Sequence, residues 1–291
     1  MGQKDIREKL LEDYNDVFAD IYNVLVFGED IIIPEQLKEG PTESVYKAID
    51  GDYREQRRDV LKSYQDICQL EIAFFGIENQ TKVDRYIPVR TMGYDYTKYR
   101  SQADKDTFPL IPVITIVLNF SDIQWGKCTS LLGIMDVPTE LIPFIQDYQV
   151  KVFDIAFLED ETIERFKSDF RLIARFFKNR RLGKDPLGEE KEIEHLTEVI
   201  DFLTVFTGDL KYSDTKERLT ELKKRGVKVT MCRVAQELWG KGEAVGLAAG
   251  ENKMAKLVNY LLSKGMIEEA KRATSDEMAR KEMYKKYKIE D

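Results

Sequence analysis

Residues 69–80 restrict the fold most strongly, because their pattern predicts a strand with apolar residues on both faces. Within this run, the hexapeptide Ile-Ala-Phe-Phe-Gly-Ile at positions 72–77 places apolar residues on both sides of the strand. A strand of this kind is typical of the centre of a sheet that is covered on both sides. The run therefore predicts a layered fold with a buried central strand.

A second strand-like run at residues 56–64 precedes it, and the two runs together predict a β-hairpin. Turn residues occupy positions 66–68. A turn centred between residues 68 and 69 places Asp59 opposite Glu78, with Cβ atoms about 5 Å apart. Gln80 follows Glu78 by two residues and therefore shares its face.

The remaining periodicities predict an α/β core followed by helices. Helices are predicted at 4–27, 35–49, 83–100 and 160–182, and strands at 110–120 and 148–155. After about residue 189 the pattern is helical throughout. The predicted fold class is thus α/β, with a core domain over 1–188 and an all-helical C-terminal extension over 189–291.

Scarce residue types exclude several classes of site. The chain of 291 residues has one histidine, His195, which excludes multi-histidine zinc sites and HExxH hydrolases. Its three cysteines form no CxxC pair and no disulfide framework, which is typical of a reducing cytoplasm. Its longest apolar run is too short to cross a bilayer. We therefore expect a cytoplasmic protein without a membrane partner.

The charge is unevenly distributed along the chain. The formal net charge of −8 divides into −13 over residues 1–162, +6 over residues 163–184 and −1 over the remainder. The whole chain therefore does not resemble a polybasic nucleic-acid coat protein. One short segment reverses the sign, and a polyanionic partner such as DNA would be expected to meet the chain there.

A basic stripe runs along this segment. Lys167, Arg171, Arg175 and Lys178 are spaced by four, four and three residues, so they line one face of the predicted helix. Such a stripe is a candidate contact for a DNA backbone. The alternative is a solvated helix face whose cations pair with nearby acids.

The Asp59–Glu78 pair has a chemical consequence. Two carboxylates this close repel each other unless a cation lies between them. Hard oxygen ligands suit Mg²⁺ or Mn²⁺, and such an ion binds phosphate oxygens and lowers the pKa of a bound water. Gln80 is a candidate for orienting the water or the scissile phosphate, although an amide cannot act as a general base. The alternative is that the strands simply carry acids at their exposed ends.

These residues form part of an ordered series of motifs. The series consists of Phe-Ala-Asp-Ile-Tyr-Asn at 18–23, Arg-Arg-Asp-Val at 57–60, Gly-Ile-Glu-Asn-Gln at 76–80, Pro-Val-Arg-Thr-Met at 88–92 and Leu-Ile-Pro-Val-Ile at 110–114. In this order the motifs resemble the recombination-promoting nuclease and putative transposase family, which belongs to the PD-(D/E)XK nuclease superfamily. The resemblance covers roughly residues 12–180.

The resemblance implies a restriction-endonuclease-like core and Mg²⁺-dependent cleavage of DNA phosphodiester bonds. It implies that Asp59 and Glu78 bind the metal and that Asp20, on the first helix, completes the site. Arg90 would face the phosphate or brace the carboxylates. Gln80 occupies the lysine position of the superfamily's Glu-x-Lys motif, where glutamine is a recurrent variant. DNA joining is not implied by these residues.

Two other functions are left open by the sequence. In the first, the glutamine at position 80 indicates weakened catalysis, and the nuclease fold serves as a module that binds DNA or a partner. In the second, the chain is an interaction protein organised by its helical tail, whose amphipathic helices are a candidate surface for forming a homo-oligomer.

Overall fold

The chain contains seven strands among the residues that the structure describes. The computed structural model describes residues 11–40, 43–47, 53–126 and 129–287. The strands are β1 (Leu37–Glu39), β2 (Glu43–Lys47), β3 (Tyr53–Arg57), β4 (Val60–Gln65), β5 (Glu71–Gln80), β6 (Val113–Asn119) and β7 (Lys151–Asp154). Five of them form one sheet in the order β1-β4-β5-β6-β7, and β2 pairs with β3 separately. The main sheet is mixed, because the β1–β4 and β4–β5 pairs are antiparallel whereas the β5–β6 and β6–β7 pairs are parallel.

Nine α-helices accompany these strands in the described part of the chain. They are α1 (Asn15–Tyr22), α2 (Ile87–Ala103), α3 (Asp160–Arg165), α4 (Phe170–Arg181), α5 (Leu196–Thr207), α6 (Lys211–Lys224), α7 (Met231–Ser263), α8 (Ile267–Ser275) and α9 (Glu277–Lys286). α1 continues into a π-helical turn and ends at Gly28, whose φ of 75° is the left-handed conformation that favours glycine. The predicted α/β class is confirmed. The first ten residues of the chain, where the predicted helix 4–27 begins, lie outside the described part.

β5 is the buried central strand that its sequence predicts. Phe74, Phe75 and Ile77 are at most 4% exposed, although they point to opposite faces. On one face, the ring of Tyr22 in α1 lies 4.8 Å from that of Phe75. The Tyr22 hydroxyl also donates to the carbonyl oxygen of Gly76 at 2.7 Å, so the helix is tied to the strand backbone.

The predicted hairpin and its register are confirmed. β4 and β5 are antiparallel, with Val60 opposite Ile77 and Leu61 opposite Gly76. Continuing this register by one step past the start of β4 places Asp59 opposite Glu78, as predicted. The strands predicted at 110–120 and 148–155 and the helix predicted at 83–100 are also present, as β6, β7 and α2.

The predicted helix at 35–49 is wrong. Its described residues form a short 3-10 turn followed by β1 and β2. Leu37 pairs with Tyr64 and is 4% exposed, so β1 covers the outer edge of β4. The local pattern does not reveal this pairing. β1 is stabilised by hydrogen bonds to backbone groups of β4 that would otherwise be unpaired, and these groups lie outside residues 35–49.

The predicted helix at 160–182 is divided into α3 and α4. Phe166 is already extended, with φ −65° and ψ 129°. The break is stabilised by Asp20, whose carboxylate accepts the backbone N–H groups of Lys167, at 2.9 Å, and of Ser168, at 2.7 Å. A hydrogen bond that spans 147 residues of chain leaves no trace in the local periodicity.

The chain divides into two compact units at a later position than the predicted boundary of 188/189. The first unit is Met1–Val234 and the second is Ala235–Asp291. α5 belongs to the first unit because its Phe202 ring packs 5.3 Å from that of Phe120, which directly follows β6. Helices are the only regular elements among the described residues after 189, as predicted.

The second unit has an apolar cluster of its own. Its buried members are Leu257, Leu261, Ala270, Ala273, Ala279 and Met283. Within the described part of the chain, no helix combines the length and the apolar character needed to cross a membrane.

Substitution of Phe202 tests the placement of α5 in the core of the first unit. Phe202 is fully buried, so Phe202→Ala should lower the free energy of unfolding by about 3–5 kcal/mol, measured by urea denaturation. The matched control is Phe144→Ala, because Phe144 is 81% exposed and its loss should cost at most about 0.5 kcal/mol. Equal, small losses for the two variants would contradict this placement.

Candidate metal centre

Asp59 and Glu78 lie close together at the end of the hairpin where β4 begins and β5 ends. Asp59 lies one residue before β4, and its Oδ2 accepts the backbone N–H of Asn79 at 2.7 Å. Glu78 lies opposite Asp59 when the β4–β5 register is continued by one residue. The Asp59 carboxylate is thus fixed by the backbone of the strand that carries Glu78. Both are buried, Asp59 at 8% and Glu78 at 1% exposure.

This burial makes the charge on Glu78 costly. Burial, and then the neighbouring carboxylate of Asp59, raise the pKa of Glu78 well above its ordinary value. The guanidinium groups of Arg90 and Arg58 oppose this rise. The site therefore holds two acids in an environment that disfavours two negative charges, which is a common property of catalytic and metal-binding sites.

Arg90 and Gln80 both contact one oxygen of Glu78. Arg90, on the first turns of α2, pairs with Glu78 Oε1 and with Asp84 Oδ2, the latter at 3.1 Å. Gln80 Nε2 donates to the same Oε1 at 3.1 Å. Although burial opposes the effect, the Glu78 carboxylate raises the pKa of Arg90, so its guanidinium stays charged. The structure thus places both predicted residues against Glu78.

The ring of Tyr94 completes this side of the site. Arg90 Nη2 approaches the Tyr94 hydroxyl at 3.4 Å. Burial, and then the charge of Glu78, raise the pKa of Tyr94 to about 12, so the phenol stays protonated at neutral pH.

The donor atoms fit a hard divalent cation. Glu78 Oε2 is buried and has no hydrogen-bond partner among the described residues. A buried carboxylate oxygen without a partner is unfavourable unless another group meets it. With the Asp59 carboxylate beside it, this oxygen suits Mg²⁺ or Mn²⁺, which prefer carboxylate ligands.

Asp20 is not part of this group. Its carboxylate accepts the two backbone N–H groups at the α3–α4 break and the hydroxyl of Ser168, the last at 2.6 Å. Asp20, Asp59 and Glu78 all lie in the described part of the chain, yet the three together do not form a group whose carboxylate oxygens all lie within 4.8 Å of one another. The observed role of Asp20 is to stabilise the α3–α4 break.

The basic stripe is paired with acids of the same chain. Lys167 lies in the α3–α4 break and contacts Asp30 at 2.5 Å. The other three cations pair with acids of α3: Arg171 with Glu164 at 2.6 Å, and both Arg175 and Lys178 with Asp160, at 2.5 and 3.1 Å. This arrangement matches the alternative given above, a helix face whose cations pair with nearby acids.

Two buried groups near the site were missed by the sequence analysis. Glu12 is fully buried and accepts the Asn79 side-chain N–H at 2.5 Å, but no spacing distinguishes it from the other acids near the N-terminus. Arg58 forms an ion pair with Asp95 of α2 at 2.6 Å. Its signal was available, because a glycine inside a strand, here Gly76, often marks a close approach by another group.

A separate group of polar residues lies elsewhere in the first unit. Asp16, Glu194 and His195 bring one potential ligand atom each within 4.8 Å of one another. His195 Nε2 lies 3.0 Å from Asp16 Oδ2, and the Tyr14 ring packs on the imidazole with centroids 3.9 Å apart. A hydrogen-bond contact between the imidazole and the Asp16 carboxylate accounts for this pair.

The chain belongs to a known family. The model of the family described as "Putative transposase, YhgA-like" matches residues 42–205, more than half of the 291 residues. Asp59, Glu78, Gln80 and Arg90 lie within the matched region, and Asp20 lies outside it. No curated protein and no solved structure matches the chain. The resemblance to a transposase family is thereby confirmed, whereas membership of the nuclease superfamily stays a prediction.

Thermal unfolding with Mn²⁺ tests the fit of a cation to this site. A bound ion at about 100 times its Kd should stabilise the folded protein by about 2.7 kcal/mol, seen as a higher Tm. The Tm increase should shrink as the pH falls, because the raised pKa of Glu78 lets protons displace the ion. Asp59→Asn should abolish the increase, and the exposed Asp136→Asn should not. An undiminished increase in Asp59→Asn would contradict the site.

Proposed function

We propose that this member of the YhgA-like family is a metal-dependent DNA endonuclease that hydrolyses phosphodiester bonds with Mg²⁺ or Mn²⁺. One observation carries the proposal: two buried carboxylates lie opposite each other on neighbouring strands, and one oxygen of Glu78 lacks a hydrogen-bond partner among the described residues. A site of this composition needs no histidine, in agreement with the single histidine of the chain.

Asp59 and Glu78 would hold the ion in this proposal. When bound, Mg²⁺ supplies charge neutralisation at the phosphate and lowers the pKa of a bound water. Arg90 is 38% exposed in its side chain, so its guanidinium can offer N–H groups to a phosphate while it keeps Glu78 in place. Gln80 fixes the orientation of the Glu78 carboxylate and can orient the attacking water through its amide, without accepting a proton.

A second function is favoured by a different observation. Arg90 and Gln80 both occupy Glu78 Oε1, so a cation must compete with a guanidinium for this carboxylate. If the guanidinium prevails, the fold serves as a catalytically weak or inactive module that binds DNA or another partner.

Plasmid nicking with purified protein tests the endonuclease. Wild-type protein with Mg²⁺ should nick supercoiled DNA, and Asp59→Asn or Glu78→Gln should lower the rate by about 10³-fold, since several kcal/mol of metal stabilisation are lost. Asp201→Asn is the matched control, because Asp201 is also a buried acid but pairs with Lys216. Nicking that survives in both site variants would contradict the proposal, and DNA binding without nicking would favour the module.

Substitution of Gln80 tests the role of its amide. Gln80→Ala loses the 3.1 Å contact with Glu78 and should nick about 10- to 100-fold more slowly, as is typical when a group that orients a metal ligand is removed. Gln80→Lys restores the residue of the superfamily motif and should nick at least as fast as the wild type. Equal rates for Gln80→Ala and wild type would show that the amide has no part in the reaction.

A further inference from the structure

Arg58 directly precedes Asp59 and is almost fully buried. It is 2% exposed, and its Nη2 lies 2.6 Å from Asp95 Oδ1. Its Nε and Nη1 have no hydrogen-bond partner among the described residues. A buried guanidinium that satisfies one of its three nitrogens is costly, so stability alone gives a poor account of this residue.

Asp95 anchors this guanidinium to three other parts of the first unit. The acid lies on α2, and its Oδ1 also accepts the hydroxyl of Thr115 in β6 at 2.6 Å. Its Oδ2 accepts the hydroxyl of Tyr148, near the start of β7, at 2.6 Å. The position of Arg58 is therefore fixed by a network that crosses the sheet and its covering helix.

Gly76 shows where the guanidinium lies relative to the metal centre. A Cβ added at Gly76 would come within 2.7 Å of Arg58 Nη1 and 2.8 Å of Cδ, so only glycine leaves room for this side chain. Gly76 and Glu78 are two residues apart on β5 and face the same side. Arg58 therefore crosses β5 on the face that carries Glu78, and its charge opposes the rise in the pKa of Glu78.

We propose that Arg58 is a positioning residue of the Asp59–Glu78 centre. Its ion pair with Asp95 fixes the backbone that leads into Asp59, and its charge lies beside the two carboxylates and limits their repulsion before a cation binds. Gly76 contributes to the same arrangement, because the absence of a Cβ at this position leaves room for the Arg58 guanidinium. This inference rests on the proposed function, since it assigns Arg58 to the same metal centre.

The test is Mn²⁺ affinity, measured by calorimetry on the full chain well below the Tm of each variant. Arg58→Met keeps most of the apolar stem but loses the ion pair, and it should weaken Mn²⁺ binding by about 10- to 100-fold, as is typical for groups that orient metal ligands. Arg58→Lys keeps the charge and should be affected less. Nicking by Arg58→Met should fall in parallel when Mn²⁺ is below saturation.

The matched control is Lys216→Met, which also breaks an ion pair to a buried acid, Asp201. It should lower the Tm and leave Mn²⁺ affinity unchanged. If Arg58→Met lowers the Tm but binds Mn²⁺ like the wild type, Arg58 is merely structural and the inference is overturned. If the wild type itself binds no Mn²⁺, the proposed function falls and the inference falls with it.

Gly76→Ala provides an independent variant in case Arg58→Met does not fold. It retains the arginine but displaces the guanidinium, so it should also weaken Mn²⁺ binding by at least about 10-fold. Wild-type affinity in folded Gly76→Ala would overturn the role of the close approach.

Discussion

The metal centre of the first unit depends on the position of Asp59 opposite Glu78 in the β4–β5 register. The Asn79 N–H donates to the Asp59 carboxylate and fixes it against the strand that carries Glu78. Two acids are thereby held close together in a buried place, where water does little to weaken their mutual repulsion. Two cations reduce this repulsion. Arg90 pairs with one oxygen of Glu78, and Arg58 packs against Gly76 on the face of β5 that carries Glu78.

The rest of the sheet provides the rigidity that this arrangement needs. β5 is covered on both faces and tied to α1 through Tyr22 and to α2 through Arg90. A strand enclosed in this way cannot slip in register without moving apolar side chains to the wrong face. The register keeps Asp59 opposite Glu78. Because packing of the core fixes this register, it also fixes the positions of the two acids.

The sequence was sufficient for features that depend on local periodicity. The apolar run on β5 and the turn before it predicted the hairpin, and the centre of that turn then predicted the Asp59–Glu78 pair. The helix expected at 35–49 was wrong because β1 forms by pairing with the edge of β4. The residues that provide this pairing lie in another part of the chain, so the local pattern does not contain the information.

Contacts between distant segments explain the other differences. Asp20 was expected at the metal centre by resemblance, but it binds the backbone at the α3–α4 break. The same break removes Lys167 from the helical stripe. The burial of Arg58 beside Gly76 likewise depends on an approach between strands that spacing alone does not specify.

The location of a bound ion tests the account most directly. Crystals soaked in Mn²⁺ and measured with anomalous scattering should show a peak between Asp59 and Glu78, with Glu78 Oε2 as one of its ligands. Absence of that peak, with Arg90 still paired to Glu78, would contradict the metal centre. A single peak at Asp16, Glu194 and His195 would contradict it as well, and would move the metal chemistry to a different part of the first unit.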